Sequence, residues 1–289
     1  MSRCRGNQAI KPLIRAWLGL SALLALLLVL PLAAAVAQQV RSSGPPRGAL
    51  LAIGGGAPGT DIRAAAARLA GGANAHWVVI PTAAEDGDID HLRHANFAAY
   101  LGQSFTVLHT RDRAEADSEA FVAPLKTATA VWFVGGRQWR LVDAYAGTLT
   151  EREIRAVLGR GGLIAGTSAG ATIQGSFLVR GAVSSNRVLI APGHERGFGY
   201  LNNVAIDQHV TARGREGDLA QVIAANPGLL GIGLDERTAI LVNGNIAMVL
   251  GAGHVFITDG RDHGGNPDYP LSPGDRFDLG TWSRLPPGR

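Results

Sequence analysis

Residues 163–172 read Leu-Ile-Ala-Gly-Thr-Ser-Ala-Gly-Ala-Thr, and this stretch decides the fold. The apolar run Leu163–Ala165 predicts a buried strand, and the small residues from Ala169 onward predict a helix. Between them, Gly166–Gly170 matches G-x-S-x-G, the nucleophile elbow in which a serine occupies a sharp strand-to-helix turn. Glycines relieve crowding at such a turn, and the first N–H groups of the helix point toward a developing oxyanion. The pattern therefore predicts an α/β hydrolase with Ser168 as its nucleophile.

Short apolar runs alternate with helix-like segments on both sides of this turn. The strands are predicted at Ala49–Ile53, Trp77–Ile80, Phe105–Leu108, Ala130–Val134, Leu163–Ala165, Val204–Ile206, Gly231–Leu234, Ala239–Val242, Ile246–Leu250 and Val255–Asp259. The helices are predicted at Asp61–Leu69, Ile89–Leu101, residues 114–126, Gln138–Ala146, Thr150–Leu158 and Leu219–Ala225. Continuous apolar strands that alternate with helices indicate an α/β fold, with a mostly parallel sheet and helices on both of its faces.

Two local signals refine this prediction. Asn243-Gly244 stands between two predicted strands and is typical of a two-residue hairpin, which adds antiparallel strands at the edge of the sheet. Thr150 and Glu153 have the spacing of a capping box at a helix start. After the last predicted strand we expect only a tail rich in glycine and proline.

The polar and glycine-rich residues cluster where the predicted strands end. They are Gly54-Gly55-Gly56, Pro81-Thr82, Gly135-Gly136, Ser168, Asp207-Gln208-His209 and Asp235-Glu236. In open α/β sheets, ligands bind at the carboxyl ends of the strands. The glycine triplet matches neither phosphate-binding pattern, so we expect it to allow a close backbone approach at the site.

A serine nucleophile needs a base, and the base needs an acid to orient it. Among the histidines after Ser168, His209 follows a buried-looking run at a strand end and is the expected base. Glu236, Asp235 and Asp207 are the candidate acids. Neighbouring residues of a strand point to opposite faces, so only one of Asp235 and Glu236 can face the base, and the residues alone leave this choice open.

Residues 1–37 have the organisation of a signal peptide. Residues 1–15 carry four basic and no acidic residues, an apolar run spans Leu18–Leu30, and small residues lead to Ala37. We expect cleavage after Ala37 and export to the periplasm or the medium, with an uncleaved membrane anchor as the alternative. Residues 38–47 are then a flexible lead-in, and residues 48–289 form a single domain.

Composition excludes several functions for the mature chain. The whole sequence has 27 basic and 23 acidic residues, so loss of the four basic residues of the leader leaves no net charge and no argument for nucleic-acid binding. The only cysteine, Cys4, lies in the leader, which excludes disulfides, thiolate metal sites and a cysteine nucleophile from the rest. We expect no metal, no cofactor and no membrane association after cleavage.

Four segments in the same order resemble the cyanophycinases of peptidase family S51. They are Gly135-Gly136-Arg137-Gln138, Gly166-Thr167-Ser168-Ala169-Gly170-Ala171, Asp207-Gln208-His209 with Arg213 and Arg215, and Gly233-Leu234-Asp235-Glu236. The similarity covers about residues 48–260. Cyanophycinases are serine exopeptidases related to aspartyl dipeptidases, and the resemblance implies a glutamine-amidotransferase-like, flavodoxin-like fold.

The resemblance also implies roles for individual residues. It implies a triad of Ser168, His209 and Glu236, and an oxyanion hole formed by the N–H groups of Gly136 and Ala169. The residues that it places around the substrate are Gln138, Asp207, Gln208, Arg213 and Arg215. The arginines would clamp an aspartyl carboxylate, and Asp207 would neutralise a substrate cation.

The implied substrate is cyanophycin, a poly-aspartate that carries arginine on its side-chain carboxyls and is cleaved to β-aspartyl-arginine. Two positions depart from the family pattern: Asp218 stands where a basic residue is usual, and Arg137 where an acidic one is common. Both change the charge of the expected pocket, so a related β-aspartyl or other acidic peptide remains an alternative substrate.

Two other classes of protein are alternatives to a peptidase. The sequence also leaves open whether the protein forms a homodimer. An α/β-hydrolase esterase shares the elbow, but its triad runs serine, acid, histidine, whereas the candidates here run Ser168, His209, Glu236. A periplasmic binding protein would also carry a leader, but it has no use for a strained serine turn. The usual glutamine amidotransferase is excluded because its nucleophile is a cysteine.

Overall fold

The computed structural model describes residues 42–89 and 105–286. The leader with its cleavage after Ala37, and the helix predicted over Ile89–Leu101 apart from Ile89 itself, lie outside these described residues. Within the described ranges, no helix is both long enough and apolar enough to cross a membrane.

A nine-stranded sheet carries the site. Side by side, its strands are β14 (Ser283–Leu285), β13 (Arg276–Asp278), β10 (Ile246–Gly251), β9 (Thr238–Asn243), β1 (Ala49–Ile53), β5 (Leu163–Thr167), β4 (Ala130–Phe133), β2 (Trp77–Ile80) and β3 (Phe105–Val107). The block from β1 to β3 in this order is parallel, and β9, β10, β13 and β14 join it antiparallel. The predicted α/β class, with its mostly parallel sheet and antiparallel edge, is confirmed.

Helices cover both faces of the parallel block. The α-helices that lie wholly within the described residues are α1 (Thr60–Leu69), α2 (Arg113–Ala116), α3 (Glu119–Val122), α4 (Gln138–Tyr145), α5 (Leu149–Gly159), α6 (Ala169–Thr172) and α7 (Asp218–Ala225). Leu50 of β1 belongs to the apolar cluster that holds Leu141 of α4 and Ile154 of α5, whereas the next residue, Leu51, belongs to the one that holds Ile62 of α1. Successive side chains of a strand point to opposite faces, which is why these strands are apolar throughout.

A second sheet of five strands holds part of the site. In order, its strands are β12 (Tyr269–Leu271), β11 (Val255–Thr258), β8 (Leu230–Leu234), β7 (Leu201–Gln208) and β6 (Gly175–Phe177). The sequence did not separate β7 and β8 from the main sheet. The short helix α6 contacts β1 and β5 of the first sheet and β7 of the second. The ends of β5 and β7 are thereby brought to the same helix.

The single polar helix predicted near residues 114–126 is wrong. The chain forms α2, then α3, then a 3₁₀ turn over Ala123–Lys126. A carboxylate oxygen of Asp112 accepts the N–H of Ala114 at 2.8 Å, and the hydroxyl of Ser118 accepts the N–H of Phe121 at 3.2 Å. Each of these side chains caps a new helix, so the chain restarts instead of continuing one helix.

The capping box predicted at Thr150 and Glu153 is also wrong. Helix α5 begins at Leu149, and Thr148 is its N-cap residue. Thr150 lies inside the first turn, where its hydroxyl donates to the carbonyl of Ala116 at 2.6 Å. A tertiary hydrogen bond therefore replaces the local one that the spacing suggested.

The hairpin at Asn243-Gly244 forms between β9 and β10, displaced by one residue. Asn243 pairs with Ile246, so the two loop residues are Gly244 and Asn245, and Gly244 has φ 54°. Glycine at the first central position is typical of a type II′ turn. The stretch predicted as a tail contributes the strands β12, β13 and β14.

Candidate active site

Ser168 occupies a strained turn between β5 and α6. Its backbone has φ 54° and ψ −114°, a conformation that non-glycine residues rarely adopt. A Cβ on Gly166 would lie 2.2 Å from the carbonyl oxygen of Gly170, and one on Gly170 would lie 2.4 Å from that of Phe133. The two outer glycines of G-x-S-x-G are thus required by close backbone approach.

His209 reaches Ser168 from the end of β7. Its Nε2 lies 2.9 Å from Oγ of Ser168. The N–H of His209 donates to the carbonyl of Gly54 at 2.9 Å, which ties the end of β7 to the segment after β1. The sequence expectation that the glycine triplet permits a close approach agrees with this contact.

Glu236, and not its neighbour Asp235, faces the imidazole. Oε1 of Glu236 lies 2.6 Å from Nδ1 of His209. The Asp235 carboxylate accepts the N–H of Thr211 and the N–H of His254, each at 3.0 Å. The structure thus places Glu236 at the base and gives Asp235 a structural role between two loops.

Burial lowers the pKa of His209 below its usual value of 6.5. The hydrogen bond with Glu236 acts in the opposite direction, and the positive charges of Arg213 and Arg215 add to the lowering. The imidazole is therefore neutral at neutral pH. When Nδ1–H donates to Glu236, the lone pair of Nε2 faces the Ser168 hydroxyl, which is the arrangement a general base needs.

One predicted oxyanion donor, Ala169, follows Ser168 in sequence, and the other, Gly136, follows a glycine that lies beside the serine. Ala169 follows it and begins α6, where the first N–H groups have no partner within the helix. A Cβ on Gly135 would lie 3.3 Å from Cβ of Ser168, so the turn that contains Gly136 passes beside the serine. Gly136 has φ 138°, and a Cβ there would lie 2.1 Å from the carbonyl oxygen of Ala83.

Four of the five residues expected around the substrate are buried. Gln138, Asp207, Gln208 and Arg215 are exposed by only 1%, 1%, 3% and 6%. Nε2 of Gln138 donates to the carbonyl of Val179 at 2.8 Å, and Nη1 of Arg215 donates to the carbonyl of Gln208 at 2.7 Å. Only Arg213 is exposed.

Asp207 is not free to neutralise a substrate cation, which corrects the sequence expectation. Arg180 donates from Nε to its Oδ1 at 2.8 Å and from Nη2 to its Oδ2 at 2.7 Å. Nη1 of Arg215 lies 3.3 Å from the same Oδ1, so Arg215 does not present a free bidentate clamp. Arg213 is the one of the two predicted arginines whose side chain is open to an anion.

Sequence reasoning missed Arg180. This residue is separated from Asp207 by 27 positions and follows no pattern that marks a functional residue. Its second carboxylate partner, at 2.6 Å, is Asp218, one of the two positions that depart in charge from the family pattern. Arg137, the other departure, donates to the carbonyls of Ala182 and Val183 beyond Arg180. An unexpected acidic residue was thus the only signal that a new basic partner existed.

Within residues 42–89 and 105–286, no group of three or more His, Cys, Asp or Glu residues is arranged to hold a metal ion.

The geometry agrees with similarities to known peptidases. The model of peptidase family S51 matches residues 50–250, which include all three members of the Ser168, His209 and Glu236 arrangement. A cyanophycinase of Nostoc sp. is 32% identical over 273 residues, covering 86% of this chain and 91% of that protein. A cyanophycinase of Synechococcus elongatus is 33% identical over 225 residues, covering 75% of this chain and 69% of that protein.

A solved structure shares the fold. The crystal structure of a peptidase from an acI-B1 Actinobacterium superposes with a TM-score of 0.64 at 24% identity, over 81% of this chain and 98% of that one. At this identity the likeness describes the fold alone.

Proposed function

Because this chain belongs to peptidase family S51, we propose that it is an exported serine exopeptidase that hydrolyses cyanophycin or related β-aspartyl peptides through Ser168, His209 and Glu236. The observation that carries the proposal is the continuous hydrogen-bonded chain from Glu236 through His209 to Ser168, with contacts of 2.6 Å and 2.9 Å. Membership of a peptidase family does not agree with the esterase or the binding protein that the sequence left open.

The arrangement supports acyl transfer in two steps. Oγ of Ser168 attacks the scissile carbonyl while Nε2 of His209 takes the hydroxyl proton, and Glu236 stabilises the imidazolium. The leaving amine receives that proton, and an ester to Ser168 remains. Water then attacks the ester, with His209 again as base, and releases the acid product and the free serine. The N–H groups of Ala169 and Gly136 are proposed to bind the oxyanion.

The position of Arg213 favours a substrate that carries a carboxylate. It is exposed, and its positive charge acts on the imidazole of His209, so it lies beside the proposed base. A guanidinium binds a carboxylate with two parallel hydrogen bonds. We assign to Arg213 the carboxylate of the substrate, whereas Asp207, Gln208, Arg215 and Gln138 form the buried wall behind it.

Two-unit β-aspartyl peptides and cyanophycin test the reaction. The purified protein is expected to release dipeptide from at least one of them, and the variant Ser168→Ala is expected to release none. A fluorophosphonate probe should label the wild type and spare the variant. Labelling without release from any β-aspartyl substrate would retain the serine nucleophile and reject the substrate class.

Export rests on the leader sequence. We propose that residues 1–37 are removed after Ala37, because a basic segment, an apolar run and small residues precede that position. Intact mass and N-terminal sequencing of protein recovered from the periplasm or medium of an expressing cell test this. A chain that begins at Gln38 is expected, and a full-length chain held in the membrane fraction would contradict the proposal.

A further inference from the structure

The carboxylate of Asp207 accepts four hydrogen bonds from donors of its own chain. Oδ1 accepts from Nε of Arg180 at 2.8 Å, from Nη1 of Arg215 at 3.3 Å and from the N–H of Gln208 at 2.9 Å. Oδ2 accepts from Nη2 of Arg180 at 2.7 Å. An ionised carboxylate offers about four lone-pair sites. One lone pair of Oδ2 is left, but Asp207 is only 1% exposed, so a cationic group of a substrate has no access to it.

Arg180 is fixed in this position from several directions. Its Nη2 also donates to Oδ2 of Asp218 at 2.6 Å, and its Nη1 donates to the carbonyl of Asn186 at 3.2 Å. Its backbone N–H donates to the carbonyl of Leu189 at 2.7 Å. The guanidinium is only 3% exposed. Because breaking a buried ion pair is costly, a substrate cation cannot displace Arg180 from Asp207 without losing the two hydrogen bonds that join these side chains.

The negative charge of Asp218 explains why the guanidinium of Arg180 can be buried beside Asp207. A basic residue at position 218, as in the pattern that the sequence resembles, would place a like charge beside the guanidinium of Arg180. Asp218 places an opposite charge there, at the start of α7. Arg180 and Arg215 then balance Asp207 and Asp218, so these four side chains together carry no net charge.

The wall lies next to the proposed catalytic base. Asp207 precedes His209 by two residues on the same strand end. Arg215 connects the two, since it bonds to Asp207 and its charge also acts on the imidazole. For a substrate side chain bound near His209, the charge of the Asp207 carboxylate is therefore already neutralised by Arg180.

We propose that Arg180 is a specificity-determining residue that fills the cation subsite of Asp207, so that the enzyme prefers β-aspartyl peptides bearing an uncharged group over those bearing arginine. This inference rests on the proposed β-aspartyl peptidase function and selects among its substrates. Arg213 remains available for the substrate carboxylate, whereas the arginine side chain of a cyanophycin unit finds no free anion.

Two matched substrates test the preference. One is the two-unit peptide (β-Asp-Arg)₂, and the other is (β-Asp-citrulline)₂, which replaces each guanidinium by a neutral urea of the same length. For the wild type, kcat/KM is expected to be at least about tenfold higher for the citrulline peptide, because a guanidinium that leaves water beside Arg180 gains no anion in return. In Arg180→Ala the preference should move toward arginine by about tenfold or more. Arg180→Lys retains a cation beside Asp207 and should keep the wild-type preference.

A milder variant covers the case in which Arg180→Ala does not fold. Asp218→Asn removes one of the two carboxylates that hold Arg180, at a half-exposed position. It should move the preference in the same direction by a smaller factor. Thermal unfolding of each variant identifies those that are folded, and an unchanged preference in a folded Asp218→Asn and a folded Arg180→Ala would overturn the proposal.

Binding separates this inference from the proposed reaction. Calorimetry on the Ser168→Ala chain, with the dipeptides β-Asp-Arg and β-Asp-citrulline, needs no turnover. Tighter binding of the citrulline dipeptide supports the inference even where no peptide is hydrolysed, a result that would reject only the proposed function. Equal binding, tighter binding of β-Asp-Arg, or binding of neither dipeptide overturns the inference.

Discussion

The imidazole of His209 lies against the backbone of Gly55, so closely that a Cβ on Gly55 would stand 2.1 Å from Cε1 of the ring. The adjacent carbonyl, that of Gly54, accepts the N–H of His209 at 2.9 Å. The segment after β1 therefore sets both the backbone and the ring position of the proposed base. The glycine triplet, which resembles part of a phosphate loop, thus allows the end of β7 to approach the segment after β1.

Replacing Gly55 by alanine should disable the site without unfolding the protein. The added methyl group must push the ring of His209 away from Ser168, and a displacement of about 1 Å costs roughly a hundredfold in rate. We expect kcat/KM to fall by about that factor, measured with whichever β-aspartyl peptide the wild type cleaves.

Gly161→Ala is the matched control for Gly55→Ala. Gly161 also has positive φ, 92°, but nothing lies within 4 Å of an added Cβ. It should lose some stability through backbone strain and keep its kcat/KM. Equal losses of activity in the two variants would show that strain, and not the contact with His209, is responsible.

Glu236 and Asp235 should respond differently to loss of charge. Glu236→Gln removes the anion that orients and stabilises the imidazole, so kcat should fall by about a hundredfold or more with little change in unfolding. Asp235→Asn leaves one of two backbone N–H groups facing an amide NH₂, so we expect a loss of about 1–3 kcal/mol in the free energy of unfolding. Steady-state rates and urea unfolding of both variants measure this. A larger loss of kcat in Asp235→Asn would reassign the acid.

The fold class and the strained turn at Ser168 were accessible from the sequence because each depends on a local pattern. Strands such as Ala130–Phe133 are buried on both faces and are therefore apolar throughout. The elbow has glycines where the backbone of Gly166 approaches that of Gly170. The expectation that the candidate residues converge assumed one sheet edge, whereas His209 follows β7 of the second sheet and is joined to the first by the bond from its N–H to the carbonyl of Gly54.

Other features depend on contacts that no local pattern reports. An apolar run such as that in β7 is the same whether its neighbour is β6 or a strand of the main sheet, so the second sheet was not predicted. Glu236 and Asp235 are distinguished by the N–H groups of Thr211 and His254, which are distant in sequence. The pairing of Arg180 with Asp207 has the same origin, and it changes the charge that a substrate would meet.

Thr150→Val should destabilise the fold through the contact that replaced the predicted capping box. Valine has nearly the shape of threonine, but it leaves the buried carbonyl of Ala116 without its 2.6 Å donor. An unsatisfied buried acceptor costs about 1–3 kcal/mol, which we expect as a decrease in the free energy of unfolding in urea. Glu153→Gln should change it by less than about 0.5 kcal/mol. A larger effect of Glu153→Gln would restore the capping box.

The acid side of the pH profile should report the lowered pKa of His209. The base works only when neutral, so the rate of fluorophosphonate inactivation should rise with pH through a midpoint below 6.5, the usual value for histidine. The reaction with the probe does not depend on binding of a substrate carboxylate by Arg213, so its pH dependence reports the proposed base alone.

In Arg213→Gln the loss of a nearby positive charge should raise the pKa of His209, and the midpoint should move to higher pH. Arg152→Gln removes an exposed arginine that does not act on His209, so its midpoint should equal that of the wild type. A shift to lower pH in Arg213→Gln, or the same shift in both variants, would show that Arg213 does not set the charge around the base.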